Sequence, residues 1–254
     1  MHILVNEHNL YVEDQGPEDG PPVMLLHHGL GSVRAWRGQM TALVEAGFRV
    51  VAYDRWGYGG SEARPCLDLP CFTTDLIDLD SLMRHLGIQK AALIGHSDGG
   101  TMALYFACQQ PEKVNCLVTV AAHIYVEIKM ESGILGVRQA FEADERFKLG
   151  MQYAHGEKYS AVFQNWFDGW HQPEMLTWDM RSLLGQIRCP TLIMQGEEDE
   201  HATPQHAVDI ASSIPGAHLW LVPGAKHMLP QENNPEFNNR ILWFLQAHLI
   251  EQHV

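Results

Sequence analysis

Residues 91–100 read AALIGHSDGG, and this stretch decides the fold. An apolar strand, Ala91 to Ile94, runs straight into Gly95-His96-Ser97-Asp98-Gly99, and a helical segment, Thr101 to Gln110, follows at once. G-x-S-x-G between a strand and a helix describes a tight turn whose serine stands on strained backbone. Gly95 and Gly99 are required because side chains there would collide with the neighbouring strand and helix. The turn pushes Ser97 Oγ out of the sheet and sets it beside backbone N–H groups at a helix N-terminus. Partial positive charge at that end favours a developing oxyanion.

Outward from this turn the chain alternates strands and helices. Residues 2–5 and 9–14 read as two short strands forming an antiparallel edge. Val23 to His28 is a continuous apolar strand, Ala35 to Ala46 a helix closed by Gly47, and Phe48 to Asp54 the next strand. The glycine-rich loop DRWGYGGS (54–61) follows, then a helix over Phe72 to Leu86 with Thr73 or Thr74 as cap. Beyond the Ser97 helix come a strand at Val114 to Ala122 and a break in the pattern. Residues 123–184 hold no convincing strand but many large side chains, and read as a helical cap inserted over the carboxyl edge of the sheet. The alternation returns with a strand at Thr191 to Gln195, a helix around Gln205 to Ser212, a strand at His218 to Val222 and a terminal helix from Pro235 to about Leu249. The expected fold is therefore α/β: a mostly parallel central sheet with helices on both faces, and an inserted helical cap. Residues 1–122 and 185–254 form the core.

A serine hydroxyl is a poor nucleophile at neutral pH; it needs a base, and the base needs an orienting carboxylate. In this architecture both come from loops at the carboxyl ends of later strands, in the order serine, acid, histidine. TLIMQGEEDEHATP (191–204) offers Asp199 as the acid, with Glu197 and Glu198 as alternatives. HLWLVPGAKHMLP (218–230) offers His227, in a glycine-containing loop after the last strand. With 15 histidines in the chain, a lone histidine means little; chain order and loop position single out His227, whereas His218 begins a strand. His28-Gly29-Leu30-Gly31 closes the first core strand, and the backbone N–H groups of Leu30 and Asp98 are the expected oxyanion hole. His28, His123, Asp98 and the cap residues Trp166 and Trp170 are the candidate substrate-binding residues.

Composition narrows the partners. The net charge of −14, from 17 Lys+Arg against 31 Asp+Glu, argues against nucleic acid and against anionic membrane. No leader-like or transmembrane-length run is visible. The five cysteines are scattered and form no zinc pattern, which points to reduced thiols and a cytoplasmic setting. No metal or organic cofactor is called for, and the oligomeric state is not legible.

The motifs HG near 28, DRWGYGGS at 54–61, GHSDGG at 95–100, GEED at 196–199 and GAKH at 224–227 fall in one order. In that order the chain resembles the α/β-hydrolase fold family over nearly its whole length. Within it, the S-D-G-G elbow, NWFDG (165–169) and CPTLIMQGEED (189–199) resemble the valacyclovir hydrolase (biphenyl hydrolase-like) branch. The resemblance implies cleavage of α-amino-acid esters, with the elbow aspartate, here Asp98, helping to recognise the substrate's α-amino group. His96 in the elbow and much of the cap depart from that branch.

Charge gives Asp98 a second argument. Its carboxylate opposes an oxyanion nearby unless a substrate cation neutralises it. The plainer reading, a carboxylate favourably placed at the start of a helix, stands beside it. The leading expectation is a serine hydrolase of small carboxylic esters. Carbon–carbon bond hydrolysis of dienone-type compounds, lactonase or perhydrolase activity, and a non-catalytic binding module are the alternatives.

Overall fold

The computed structural model describes residues 1–250. Eight strands form one sheet: β1 His2–Val5, β2 His8–Gln15, β3 Pro22–Leu26, β4 Arg49–Tyr53, β5 Ala91–His96, β6 Val114–Val120, β7 Thr191–Gly196 and β8 His218–Val222. Their order across the sheet is β1-β2-β4-β3-β5-β6-β7-β8. The β1–β2 and β2–β4 pairs are antiparallel and every other pair is parallel. Residues alternate between the two faces of the sheet, as strand geometry demands. Met24 and Leu26 of β3 and Leu93 of β5 enter one core; Val23, Leu25 and Ile94 enter the other. With apolar side chains on both faces the central strands β3 to β7 are mainly apolar runs, and β5 and β7 are buried at every position.

Helices cover both faces. The first core is closed by α2 (Thr73–His85), α3 (Asp98–Gln109) and α8 (Gln205–Ser213), through Leu79 and Leu82, Met102 and Phe106, and Ala207 and Ile210. The second is closed by α1 (Arg37–Glu45) and α10 (Asn234–Leu245), through Met40 and Leu43, and Phe237, Ile241 and Phe244. Between β6 and β7 lie α4 (Ile128–Ala143), α5 (Glu145–His155), α6 (Tyr159–Trp170) and the short α7 (Arg181–Leu184). The one strand-like feature described in this stretch is an isolated bridge, Tyr125 to Asp179. A short α9 (Leu229–Glu232) follows β8.

Several element boundaries differ from the sequence reading. The helix expected from Ala35 opens as a 3-10 turn, Val33–Trp36, before α1. The helix expected from Thr101 begins three residues earlier, at Asp98. Neither Thr73 nor Thr74 caps α2. Phe72 takes that position in a left-handed conformation (φ 51°), its ring buried in the core, and Asp68 Oδ2 accepts from Thr74 N at 2.6 Å. Burial of the aromatic ring offsets the left-handed backbone, and a distant carboxylate replaces the threonine cap. The terminal helix ends at Leu245 and passes into a π-turn, Gln246–Ile250.

The strand order creates the site. From β3 the chain steps outward to β4, then returns to the other side of β3 as β5. Crevices in open α/β sheets form where the order reverses in this way, at the carboxyl ends of the strands. The register pairs Leu26 with Gly95, so His27 and His28 leave the sheet beside His96 and Ser97.

Candidate active site

Ser97 sits between β5 and α3 at φ 54°, ψ −119°, a conformation that side chains rarely adopt. The turn persists because its neighbours leave no room for another path. A Cβ on Gly95 would lie 2.1 Å from Gly99 O, and one on Gly99 would lie 2.1 Å from Leu26 O. Ser97 N donates to Val120 O at 2.8 Å, and Ser97 O accepts from Thr101 N at 3.0 Å, which fixes the serine between β6 and the first turn of α3. Because α3 begins at Asp98, the Asp98 N–H is among those a helix start leaves without an intrahelical acceptor.

Asp199 and His227 meet across two loops. His227 Nδ1 lies 2.9 Å from Asp199 Oδ2 and 3.1 Å from Oδ1. Asp199 is fully buried, whereas Glu197 and Glu198 are exposed, which separates the three acidic candidates. Its Oδ2 also accepts from Gln195 Nε2 at 3.2 Å, and its Oδ1 from the N–H groups of His201 (2.8 Å) and Ala202 (3.3 Å). Burial alone would hinder ionisation. The facing His227 and the His201 N–H outweigh it and hold the carboxyl well below the usual carboxylate range. An ionised Asp199 only accepts, so the Nδ1 proton stays on His227 and Nε2 is left with its lone pair. Gly196 permits the two loops to meet: a Cβ there would fall 2.2 Å from Ala225 O.

The His227 peptide is clamped on both sides. Its N–H donates to Glu200 Oε2 at 3.1 Å, and its carbonyl accepts from His96 Nε2 at 2.9 Å. The second bond gives His96, the departure within the elbow, a role: one turn of chain both presents Ser97 and holds the histidine loop. Replacing His96 by Phe keeps a ring in the buried slot but removes the donor. We expect kcat to fall about tenfold for every substrate alike, read by steady-state kinetics.

The loop after β3 is held just as firmly. His27 Nε2 accepts from Arg55 N at 3.1 Å and its Nδ1–H donates to His28 O at 2.8 Å. Arg55 Nη2 donates to the same carbonyl at 3.3 Å. Asp54 accepts from Val33 N (2.7 Å) and Gly60 N (2.6 Å), so DRWGYGGS is an anchor for this loop. Gly59 (φ 47°) is obligatory there, since its Cβ would meet Asp54 Oδ2 at 1.9 Å. From the cap, His155 Nε2 donates to Leu30 O at 3.0 Å while its Nδ1 accepts from Gly59 N at 2.9 Å. Sequence reasoning missed His155, and Gln195 and Lys129 (whose ammonium donates to the Asp199 carbonyl) as well. His155 and Lys129 act across long stretches of chain, and Gln195, only four residues before Asp199, carries no pattern that marks it.

Ser97, Asp98, His227, His28, Leu30, His123, Trp166 and Trp170 line one cavity of about 420 Å³; Asp199 stands behind His227. Met130, Ile134 and Val137 of α4 and Phe147 and Met151 of α5 supply half of the remaining lining residues. Asp98 Oδ2 is buried without an ion-pair partner among the described residues, the Trp166 indole being its neighbouring donor. It stands beside Trp166 Nε1 over the loop after β3, for a Cβ on Gly29 would lie 2.7 Å from the first and 2.3 Å from the second. Burial pushes the Asp98 carboxyl up to about 6, against the pull of Arg55 and His227 and of a hydrogen bond from the Trp166 indole. Burial likewise keeps the neighbouring imidazoles neutral, His28 at about 3 and His123 well below its ordinary value.

Sheet order, elbow and cavity together define a class. The family profile described as alpha/beta hydrolase fold matches residues 21–154, and the chain belongs to that family of hydrolases. Among its relatives is the serine hydrolase BPHL of Homo sapiens, 34% identical over 96% of this chain and 85% of the relative. The 2-hydroxy-6-oxo-6-phenylhexa-2,4-dienoate hydrolase of Burkholderia cepacia is 25% identical over 96% of this chain and 95% of its own. The enol-lactonase of Burkholderia xenovorans LB400 shares the fold, with a TM-score of 0.78 at 22% identity over 97% of this chain and all of the other.

Proposed function

We propose that the chain is a serine esterase that hydrolyses small esters of α-amino acids through an acyl-enzyme. The observation that carries the substrate class is Asp98: a buried carboxylate without an ion-pair partner among the described residues, beside the same cavity as Ser97. The neighbouring Trp166 indole is a neutral donor, a buried carboxylate without a cationic partner is costly, and a substrate ammonium supplies that partner. The likeness to a human serine hydrolase supports the reaction type. The five free cysteines support a reducing, cytoplasmic setting.

In this reading Ser97 Oγ attacks the ester carbonyl as His227 Nε2 takes its proton. The N–H groups of Leu30 and Asp98 receive the oxyanion. The tetrahedral intermediate collapses, the C–O bond breaks, and His227 returns the proton to the departing alcohol. Water then attacks the acyl-enzyme, His227 again accepting and returning the proton, and the amino acid leaves. Asp199 holds the imidazole in the required tautomer throughout. The Asp98 carboxylate, paired with the ammonium, ceases to oppose the oxyanion.

The test is a matched ester pair, one with a free α-amino group and one with methyl in its place. Wild type is expected to prefer the amino ester by about 10- to 100-fold in kcat/KM, the worth of a hydrogen bond to a charged group, and Asp98→Asn to lose that preference. The wild-type preference should rise with pH through about 6, as Asp98 ionises, and stay flat in Asp98→Asn over the same window. Equal turnover of both esters by both proteins would leave a general esterase. Cleavage of a dienoate with neither ester touched would replace this reading by carbon–carbon hydrolysis.

A further inference from the structure

Asp98 is not the only polar group left open around the cavity. Both ring nitrogens of His123, and Nε1 of Trp170, are buried without hydrogen-bond partners. Both residues border the cavity. Buried polar atoms are nearly always satisfied, and those left over call for an explanation. The neighbouring Trp178 shows the ordinary outcome, its Nε1 donating to Tyr105 Oη at 2.8 Å.

The His123 ring is held from several sides. It lies nearly parallel to His227 (centroids 5.9 Å apart, planes 18°) and edge-on to Trp170 (5.6 Å, 78°) and to His206 (5.6 Å, 87°). Its backbone is tied to the nucleophile helix, its carbonyl accepting from Thr101 Oγ1 at 2.7 Å. A neutral imidazole so placed offers one donor and one acceptor, and the Trp170 indole offers a second donor.

Position along α6 decides which part of a substrate they meet. Trp166 and Trp170 are four residues apart and share a helix face. Trp166 stands over Gly29 beside Asp98, and Trp170 stands against His123. Asp98 with Trp166 thus meets one part of the cavity, and His123 with Trp170 another. In the esterase reading proposed above, an acyl group anchored at Asp98 turns its alcohol past His227, which must protonate the leaving oxygen, towards His123.

We propose that His123, with Trp170, is a specificity-determining pair that hydrogen-bonds a hydroxyl on the leaving alcohol, so that the preferred substrates are amino-acid esters of polar, hydroxyl-bearing alcohols. This rests on the esterase reading above. The residues act on substrate choice, and the chemistry stays with Ser97, His227 and Asp199.

The test compares the propyl and 2-hydroxyethyl esters of one amino acid, which differ by a methyl against a hydroxyl. Rates are referred to hydroxide-catalysed hydrolysis of the same pair to remove intrinsic reactivity. Wild type should favour the hydroxyethyl ester by about tenfold in kcat/KM, as one or two neutral hydrogen bonds require. His123→Phe, which keeps an aromatic ring against His227, should collapse the ratio to the reference value whatever it does to the two rates. His123→Gln should restore part of it, and Trp170→Phe should lower it. A wild-type ratio equal to the reference overturns the proposal, as does a His123→Phe ratio equal to that of wild type. Cleavage of neither ester by wild type would defeat the esterase reading and this inference with it; cleavage of both at the reference ratio defeats this inference alone.

Discussion

Ser97→Ala is expected to abolish turnover, lowering kcat by about 10⁶-fold, the loss seen when the nucleophile of a serine triad is removed. The size follows from what the hydroxyl does. Without it no acyl-enzyme forms, and the oxyanion donors and the cavity can only assist direct attack by water, a residual effect of about 10³ to 10⁴ over the uncatalysed reaction. The fold should survive the change. Ser97 is held at φ 54° by its surroundings, Gly95 and Gly99 packed on one another and on β3, and those contacts do not involve Oγ. Alanine carries a Cβ as serine does, so the variant should melt close to wild type while hydrolysing nothing measurable. A variant retaining a tenth of wild-type activity would remove Ser97 from the chemistry.

The second large effect is expected at Asp199. Asp199→Asn is nearly isosteric, yet it should lower kcat by about 10⁴-fold. In wild type both carboxylate oxygens accept: His227 Nδ1, Gln195 Nε2 and two backbone N–H groups converge on them. An amide presents an NH₂ group in place of one oxygen. Facing His227 it becomes a donor, so Nδ1 must accept and the proton moves to Nε2. The base is then blocked at the nitrogen that should take the Ser97 proton. The loss should appear in kcat with KM little changed. A fall of less than tenfold would show that the Asp199–His227 pair is structural.

These effects rest on residues that the sequence exposes clearly, and the reason is local. The elbow needs glycine at 95 and 99 because two backbone segments approach within the space of a Cβ, and that need leaves a mark in five consecutive positions. Asp199 and His227 are marked less sharply. They follow from strand order, and burial together with the bond to His227 separates Asp199 from Glu197 and Glu198. The doubly covered sheet is equally legible, since apolar runs in β3, β5, β6 and β7 leave no polar phase to face water.

The remainder depends on contacts between segments far apart in the chain. His96 was legible as a departure, but its bond to the His227 carbonyl spans 131 residues. His155 joins the cap to the loop after β3 across 125 residues. Helix starts misled for a related reason. The threonines at 73 and 74 offer the expected hydroxyl, yet Asp68 supplies the acceptor and the core claims Phe72. In the cap, amphipathic helices declare a buried face without saying which aromatics meet one another and which meet a ligand. Phe141 and Phe163 stack on each other at 3.9 Å, whereas Trp166 and Trp170 border the cavity.

The central claim, that Ser97 is an activated nucleophile served by His227 and Asp199, is tested most directly by covalent labelling. Purified protein is treated with a fluorophosphonate, and the adduct is mapped by peptide mass spectrometry, with Ser97→Ala and Asp199→Asn in parallel. The account predicts one stoichiometric adduct on Ser97 in wild type, none in Ser97→Ala, and labelling slowed by orders of magnitude in Asp199→Asn. Wild-type protein that stays unlabelled, or carries its adduct on another residue, would contradict it.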